Sequence, residues 1–284
     1  MPVVRAPLDP ENSLWSWLAY ELRAQRERHG LSLTQVGRLI HAARSTVCNI
    51  EAGRARINED QVKILDARYG TGRTLELVLY FARLGHDPDW FRQYTQYEAT
   101  SSIIRVYAGQ GIPMPLQTDL YTRSLVSEHS LGDRETELKS RILRRDLILE
   151  RADPPYVWAL LDEAALELEV GGVSTLITQL EYLLCLAERA NVCTRVIPKS
   201  AGAHLGTDGA FRVISMKGRD IAYAGAYRGG RLIESPAEVR EVVIDYERIS
   251  QKALSERDTC ALIERKLEWY RCVQSGGRVP TAEW

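Results

Sequence analysis

A segment near the amino terminus, Ser32 to Gly53, constrains the fold more than any other stretch of this chain. It reads SLTQVGRLIHAARSTVCNIEAG. Val36, Leu39 and Ile40 recur at the i, i+3, i+4 spacing that lines the buried face of an amphipathic helix. Ser32 stands where a side-chain oxygen caps the first turn of such a helix. The segment therefore predicts a short helix that begins just after Ser32 and ends in a tight turn.

A second helix, of about ten residues, is predicted after that turn, with Val47 and Ile50 facing inward. Its polar residues point the other way and are Arg44, Ser45, Thr46 and Asn49. The major groove of DNA, about 12 Å wide, admits an α-helix, and within it Arg forks onto guanine and Asn onto adenine. These four side chains are therefore the candidate base-reading residues.

The turn between the two helices contains two informative residues. Gly37 lies where the helices approach each other, and a residue without a side chain lets the backbones pack there. His41 stands where such turns most often have a left-handed glycine, a conformation that His adopts less freely. The hydrophobic periodicity and the turn residues by themselves are also compatible with an ordinary helical hairpin within an all-α protein.

The run from Arg44 onward, RSTVCNIEAGRARI, distinguishes between these alternatives. It resembles the XRE (lambda-repressor-like) family, whose recognition helices commonly read S-x-S-T-V-S-x-I-E-x-G-x-R. The resemblance implies double-stranded DNA as a partner, a structural role for Glu51, and phosphate contacts by Arg54 and Arg56. A physical argument supports the arginines, because they follow Gly53, a candidate left-handed helix cap, and a basic loop there reaches the sugar-phosphate backbone.

Composition agrees with a globular protein of two domains. The chain has 284 residues, of which 45% are hydrophobic and 26% charged, and a formal net charge of −1. From Tyr20 to Arg56, seven basic residues stand against three acidic ones, which predicts a modest basic face. The chain has no glycine-rich nucleotide-binding motif, so we expect no nucleotide cofactor, and no other cofactor is indicated.

The five cysteines form no metal-binding pattern, and we expect no metal and reduced thiols. Cys48 lies within the second predicted helix, where a small packing residue is favoured over a redox switch. The amino terminus has no apolar signal region, and no apolar run is long enough to span a membrane. A cytoplasmic location is therefore expected.

The N-terminal domain is predicted to be an all-α, lambda-repressor-like bundle of five helices, spanning residues 1–86. Its first helix runs from Asn12 to about Arg28, and two more follow the recognition helix, at Glu59–Tyr69 and Thr74–Leu84. The sequence GHDPDW, Gly85 to Trp90, contains the predicted domain boundary.

Residues 87–284 are predicted to form a mixed α+β domain rather than a doubly wound one, so the chain is α+β overall. The predicted strands are Ser102–Ala108, Tyr156–Asp162, Val192–Pro198, Ala210–Met216 and a pair near Ile221 and Leu232. The predicted helices are Asp119–His129, Asp133–Arg151, Val173–Arg189, Ala237–Ala253 and Glu256–Arg271.

This second region resembles the DUF5753 (Scr1-type) domain, which follows an XRE domain in actinobacterial regulators. The resemblance is carried by LQTDLY, RADPPYVWALLDEAAL, VGG, QLEYLL, VIPKSAGAH and GAF, in that order. It implies a regulator whose second domain takes a ligand that is generally not known. Two positions depart from the family pattern, Met114 in place of a glycine and Gly225 in place of an acidic residue, and either change can remodel a ligand pocket.

Three residues of this domain are candidates for a ligand pocket: Tyr97, Asp162 and His204. For Asp162 and Glu163, a capping role at the start of a helix DEAALEL is favoured over a carboxylate pair, since adjacent strand residues face opposite ways. For His204, hydrogen bonding to the loop backbone is the favoured alternative. The aromatic residues near the domain junction, Trp90, Phe91, Tyr94, Tyr97 and Tyr107, are more typical of packing than of a ligand site.

The sequence thus favours a DNA-binding transcriptional regulator with no catalytic residues. A homodimer is expected because one short helix contacts few base pairs. The second domain is expected to bind a small-molecule effector or to dimerise. Two alternatives stay open: a regulator scaffold reused as a biosynthetic enzyme or small-molecule binder, and a module that sequesters a small protein partner.

Overall fold

The chain forms two compact units, residues 1–91 and 92–284. The computed structural model describes residues 8–11, 13–84, 90–129, 132–225 and 230–276. Of the predicted boundary segment, Gly85–Trp90, residues 85–89 lie outside the described residues. The first unit is helical and the second combines helices with a sheet, so the α+β fold class is confirmed.

The first unit contains the five predicted helices. They are Leu14–Arg28 (α1), Leu33–Leu39 (α2), Arg44–Glu51 (α3), Glu59–Tyr69 (α4) and Thr74–Leu84 (α5). Helix α1 begins after Ser13, whose side chain accepts a hydrogen bond from the Ser16 amide, whereas the predicted start at Asn12 lies outside the described residues. Helix α2 carries a capping box between Ser32 and Gln35, and the predicted Ser32 cap is therefore confirmed.

Helix α3 has eight residues and is shorter than predicted. It begins after Ala43, whose backbone is extended and whose side chain offers no cap. It ends at Glu51, Ala52 is its C-cap residue, and Gly53 then takes the left-handed conformation with φ of 68°. The inward-facing residues Val47 and Ile50 are 2% and 4% exposed, so the predicted orientation of the helix is confirmed.

The turn between α2 and α3 matches the sequence prediction. A Cβ atom on Gly37 would lie 2.5 Å from the carbonyl oxygen of Ala42, so a side chain would collide with the backbone of the turn. His41 has φ of 51° and is left-handed. The Ala42 amide donates to the Gly37 carbonyl at 2.8 Å, which closes the turn.

A six-stranded sheet forms the centre of the second unit. The strands are Ile103–Ala108 (β1), Tyr156–Asp162 (β2), Val192–Ile197 (β3), Phe211–Met216 (β4), Arg219–Ala224 (β5) and Arg231–Ile233 (β6). Their order is β3-β2-β1-β4-β5-β6. β1, β2 and β3 run parallel, and β4 to β6 continue the sheet antiparallel. The sheet is therefore mixed, with its parallel half at the β3 edge.

Helices pack on both faces of this sheet. The helices after α5 are Trp90–Ala99 (α6), Asp119–His129 (α7), Arg134–Leu149 (α8), Val173–Ala187 (α9), Pro236–Ser250 (α10) and Glu256–Gln274 (α11). The larger core joins the sheet to α9 and α11 through residues such as Val157, Leu180 and Leu262. On the opposite face, Tyr246 and Ile249 of α10 pack against the sheet. Among the described residues, no helix is both long enough and apolar enough to cross a membrane.

Candidate nucleic-acid interface

The outward side of α3 carries the four predicted base-reading residues. Arg44, Ser45, Thr46 and Asn49 are all exposed. Ser45 and Thr46 lie four and three residues before Asn49, so these side chains share one stretch of helix surface. Eight residues give α3 a length of about 12 Å, which suits one passage through a major groove. The helix therefore presents hydrogen-bonding groups outward while its apolar side is buried.

The loop after α3 is held against the end of the helix. The carbonyl oxygen of Asn49 accepts from the amides of Arg54 and Ala55, at 2.8 and 3.1 Å. Arg54 is exposed. The side chain of Arg56 is half-buried, with its guanidinium carbon 4.4 Å from the centre of the Trp15 ring and Nη1 3.4 Å from the Gly53 carbonyl oxygen. The sequence predicts the same phosphate-contacting role for both arginines, but their surroundings differ.

Glu51 fastens the far end of α3 to α1. Nε and Nη2 of Arg26 donate to Oε1 and Oε2 of Glu51, at 2.7 and 2.8 Å. Nη1 of Arg26 donates to the Leu31 carbonyl at 3.1 Å. The hydrogen bond to Glu51 raises the pKa of Arg26 and outweighs the opposing effect of burial. The resemblance implied a structural role for Glu51, but nothing in the sequence pointed to Arg26, because the partners lie 25 residues apart.

The basic residues between Tyr20 and Arg56 divide into two groups. Those that are engaged in ion pairs or stacked on an aromatic ring are Arg23, Arg26, Arg28 and Arg56. The other three are Arg38, Arg44 and Arg54, which are exposed, as are Arg23 and Arg28 of the first group. Because Glu51 is buried and paired with Arg26, its charge is compensated within the unit. The surface around α3 therefore keeps a positive character.

In the second unit, Asp162 and His204 come together with Tyr107. The Tyr107 hydroxyl donates to Oδ2 of Asp162 at 2.9 Å, and Nε2 of His204 lies 3.2 Å from Oδ1 of that carboxylate. Nδ1 of His204 accepts from the Gly206 amide at 3.2 Å, which assigns the ring proton to Nε2. The favoured expectation of backbone hydrogen bonding for His204 is confirmed.

This cluster is closely packed. Tyr107 is 1% exposed, and its ring lies edge-to-face with His204 at 5.7 Å. A Cβ atom on Gly206 would lie 2.2 Å from the Tyr107 ring, so the glycine lets the His204 loop sit directly on the tyrosine. The geometry fixes this loop to the sheet.

Tyr97 lies elsewhere in the second unit. Its hydroxyl donates to Glu234 at 3.1 Å, and the Arg219 guanidinium carbon lies 4.9 Å from its ring centre. Arg219 belongs to β5 and Glu234 follows β6, whereas Asp162 ends β2. The structure thus joins Asp162 to His204 but gives Tyr97 other partners. The side chains of Trp90, Phe91 and Tyr94 lie outside the described residues.

The predicted capping role of the Asp162 side chain is wrong. Asp162 is the N-cap residue of a four-residue 3-10 helix, Glu163–Leu166, rather than of the predicted α-helix, and its side chain makes no capping hydrogen bond. Its carboxylate instead accepts from Tyr107. Glu163 is directed to other partners, the Lys199 amide at 2.9 Å and Nζ of Lys266 at 2.9 Å. The two adjacent carboxylates therefore serve separate clusters, as strand geometry predicted.

The two departures from the family pattern have different surroundings. Met114 is 7% exposed and belongs to the larger core, within a 3-10 helix, Met114–Leu116. Gly225 is exposed, and its amide donates to the Ala210 carbonyl at 2.8 Å. The methionine therefore fills core volume, whereas Gly225 continues the pairing between β4 and β5.

Comparison with known proteins assigns both units. A helix-turn-helix domain model matches residues 17–78, and the model of a domain of unknown function, DUF5753, matches residues 91–265. Searches of curated proteins and of solved structures gave no significant match. The second model spans more than half of the chain, which therefore belongs to the DUF5753 family and carries a helix-turn-helix domain ahead of it.

Proposed function

We propose that the chain is a sequence-specific DNA-binding transcriptional regulator, in which α3 enters the major groove. The observation that carries this proposal is the polar, exposed side of α3, presented by a helix whose opposite side is buried and whose end is tied to α1 by the Arg26–Glu51 pair. In this account Arg44 and Asn49 read base edges, with Ser45 and Thr46 beside them.

Arg54 and Arg56 hold the phosphate backbone in this proposal. For Arg54, this role is supported by the exposure of its side chain next to the end of α3. Arg56 lies on Trp15 and donates to the loop backbone, so it also supports the loop that carries Arg54. Phosphate contacts position a protein on the duplex and carry no sequence information directly.

A homodimer completes the proposed interface. Helix α3 is short enough to contact only a few base pairs, and two copies on half-sites about one helical turn apart would raise affinity and specificity together. We assign the protein to the cytoplasm on the same reasoning, since its proposed target is the chromosome.

The second unit is proposed to sense an effector or a partner rather than to catalyse a reaction. The non-catalytic part is supported by the cluster of Tyr107, Asp162 and His204, whose polar atoms face one another within a packed loop. Such a cluster positions the loop and presents no exposed nucleophile.

The experiment is a titration of the full chain against DNA from the region upstream of its own gene, with a random duplex of equal length as control. Fluorescence anisotropy at several salt concentrations separates the base-specific part of binding from the phosphate part. The proposal expects tighter binding to the upstream DNA at every salt concentration. Equal affinity for both duplexes, or no binding at micromolar protein together with a thermal shift caused by a metabolite, would overturn it.

A further inference from the structure

A pocket of about 230 Å³ lies in the second unit, away from the cluster of Tyr107, Asp162 and His204. Its lining residues are Glu167, Lys199, Lys266, Trp269 and Tyr270. They come from the end of the 3-10 helix after β2, from the 3-10 turn after β3, and from α11. None of these residues is a candidate site residue on sequence grounds, although Lys199 lies within the stretch VIPKSAGAH.

The polar floor of the pocket is built around Lys266, which is 2% exposed. Its Nζ lies 2.9 Å from Oε1 of Glu163 and 2.6 Å from Oε1 of Glu167. A buried ammonium keeps its charge only when it is paired and hydrogen-bonded in this way. The floor is therefore a fixed arrangement of charges and not a mobile side chain.

The rim of the pocket is formed by Lys199, whose side chain is 56% exposed. Its Nζ lies 2.7 and 2.6 Å from the two carboxylate oxygens of Glu167. An ammonium has three N–H donors, so Lys199 keeps a donor for a ligand beyond this one carboxylate. Glu167 in turn accepts from two ammonium groups, and Glu163 also pairs with Lys266, so the charges within the cluster balance and Lys199 is its exposed ammonium.

The apolar wall is aromatic. The rings of Trp269 and Tyr270 lie edge-to-face, with centres 4.8 Å apart and planes at 87°. Burial, assisted by the charge of Glu167, raises the pKa of Tyr270 to about 12, so its phenol is neutral at physiological pH. The wall thus offers flat, uncharged surface beside a positively charged rim.

From this arrangement we infer that the pocket binds a small aromatic monocarboxylate, with its carboxylate on Nζ of Lys199 and its ring against Trp269. An ammonium ligand at the same place would meet the Lys199 ammonium at the rim and is disfavoured. That this ligand is an effector rests on the sensing role proposed above. Binding of the ligand can be measured without DNA.

The test uses the full chain without DNA and a panel of three probes, benzoate, salicylate and indole-3-acetate. Saturation-transfer NMR and calorimetry measure binding. Benzylamine, which has the same ring as benzoate but an ammonium group, and cyclohexanecarboxylate, which lacks the planar ring, are the control ligands. We expect saturable binding of at least one aromatic acid, weaker binding of cyclohexanecarboxylate, and none of benzylamine.

Two variants locate the binding. Lys199→Met should weaken the binding of the aromatic acid by at least about tenfold, because it removes the ammonium group at the rim of the pocket. Lys217→Met is the matched control, since Lys217 is exposed in the turn between β4 and β5 and does not line the pocket. Lys266 is not substituted, because its loss would leave the buried Glu163 carboxylate without its ammonium partner.

Three results would overturn the inference: no saturable binding of any acid in the panel, equal binding of benzylamine, or an affinity unchanged in Lys199→Met. The same protein sample is titrated separately with the upstream DNA. DNA binding without acid binding would reject the pocket and leave the regulator intact, whereas acid binding without DNA binding would do the reverse.

Discussion

Arg26 and Glu51 form a bidentate ion pair that joins helix α1 to the end of helix α3, with N–O distances of 2.7 and 2.8 Å. Their side chains are only 14% and 7% exposed. The pair therefore determines where the polar side of α3 is presented. Its partners are 25 residues apart in the sequence, and the pair fixes the helix that the proposed function uses.

Arg26→Ala is expected to lower the free energy of unfolding of the first unit by about 3–5 kcal/mol, because it leaves the Glu51 carboxylate buried without its partner. Urea unfolding followed by circular dichroism measures the change. Arg23→Ala is the control: it removes an exposed pair with Glu27, and such pairs contribute about 0–1 kcal/mol. Similar losses in the two variants would contradict the assigned role.

Gly37→Ala is expected to destabilise the same unit by about 1–3 kcal/mol, because the new methyl group would lie 2.5 Å from the Ala42 carbonyl oxygen. His41→Gly should act in the opposite direction. It relieves a left-handed backbone, which costs a non-glycine residue about 1–2 kcal/mol, against the added chain entropy of glycine of about 0.5–1 kcal/mol. Thermal melting of both variants is the measurement, and a tolerated Gly37→Ala would show that the helices do not approach as described.

The stability of the second unit is expected to fall in acid. Burial acts to raise the pKa of Glu163 and Glu167, but their lysine partners outweigh it, and both pKa values lie below the ordinary 4.5. Carboxylates with a lowered pKa stabilise the folded state above the unfolded value and lose that contribution as the pH falls. The urea concentration at the midpoint of unfolding should therefore stay constant above about pH 5 and decrease below about pH 4.5.

Glu167→Gln should flatten this acid decline, because it removes one of the two carboxylates. Glu181→Gln, which removes an exposed carboxylate paired with the exposed Arg271, is the control and should leave the slope as it is. A slope that changes equally in both variants would mean that the buried cluster around Lys266 does not govern the acid response.

Cys193 is expected to resist alkylation. Burial, together with the hydrogen bond from its thiol to Glu256, raises its pKa to about 12, and only the thiolate is a good nucleophile. Peptide mass spectrometry after iodoacetamide treatment at pH 8 measures the rate at this residue. Glu256→Gln should increase that rate, and an unchanged rate would place the protection in burial alone.

Much of the fold could be predicted from local sequence patterns. The bounds of β2 agree with the predicted Tyr156–Asp162, and Gly37 and His41 marked the turn, because alternation and turn chemistry are encoded within a few residues. The change from parallel to antiparallel pairing between β1 and β4 could not be predicted, since strand pairing depends on the tertiary fold.

The clusters of the second unit show the same limit. A lysine is expected to face solvent, yet Lys266 is buried. A signal was present, because Lys266 lies four residues after Leu262 and four before Tyr270, on the apolar side of α11. Its partner Glu163 is distant in the sequence, and only the folded structure brings the two together.

The most direct test of the central claim compares Asn49→Ala with Arg54→Ala on an operator defined by the upstream titration and on random DNA. Asn49→Ala is predicted to weaken operator binding by about 1–3 kcal/mol, with the loss confined to one base pair, and to leave random DNA unaffected. Arg54→Ala is predicted to weaken both duplexes alike and to reduce the salt dependence. Equal losses on operator and random DNA for Asn49→Ala would contradict the reading of bases by α3.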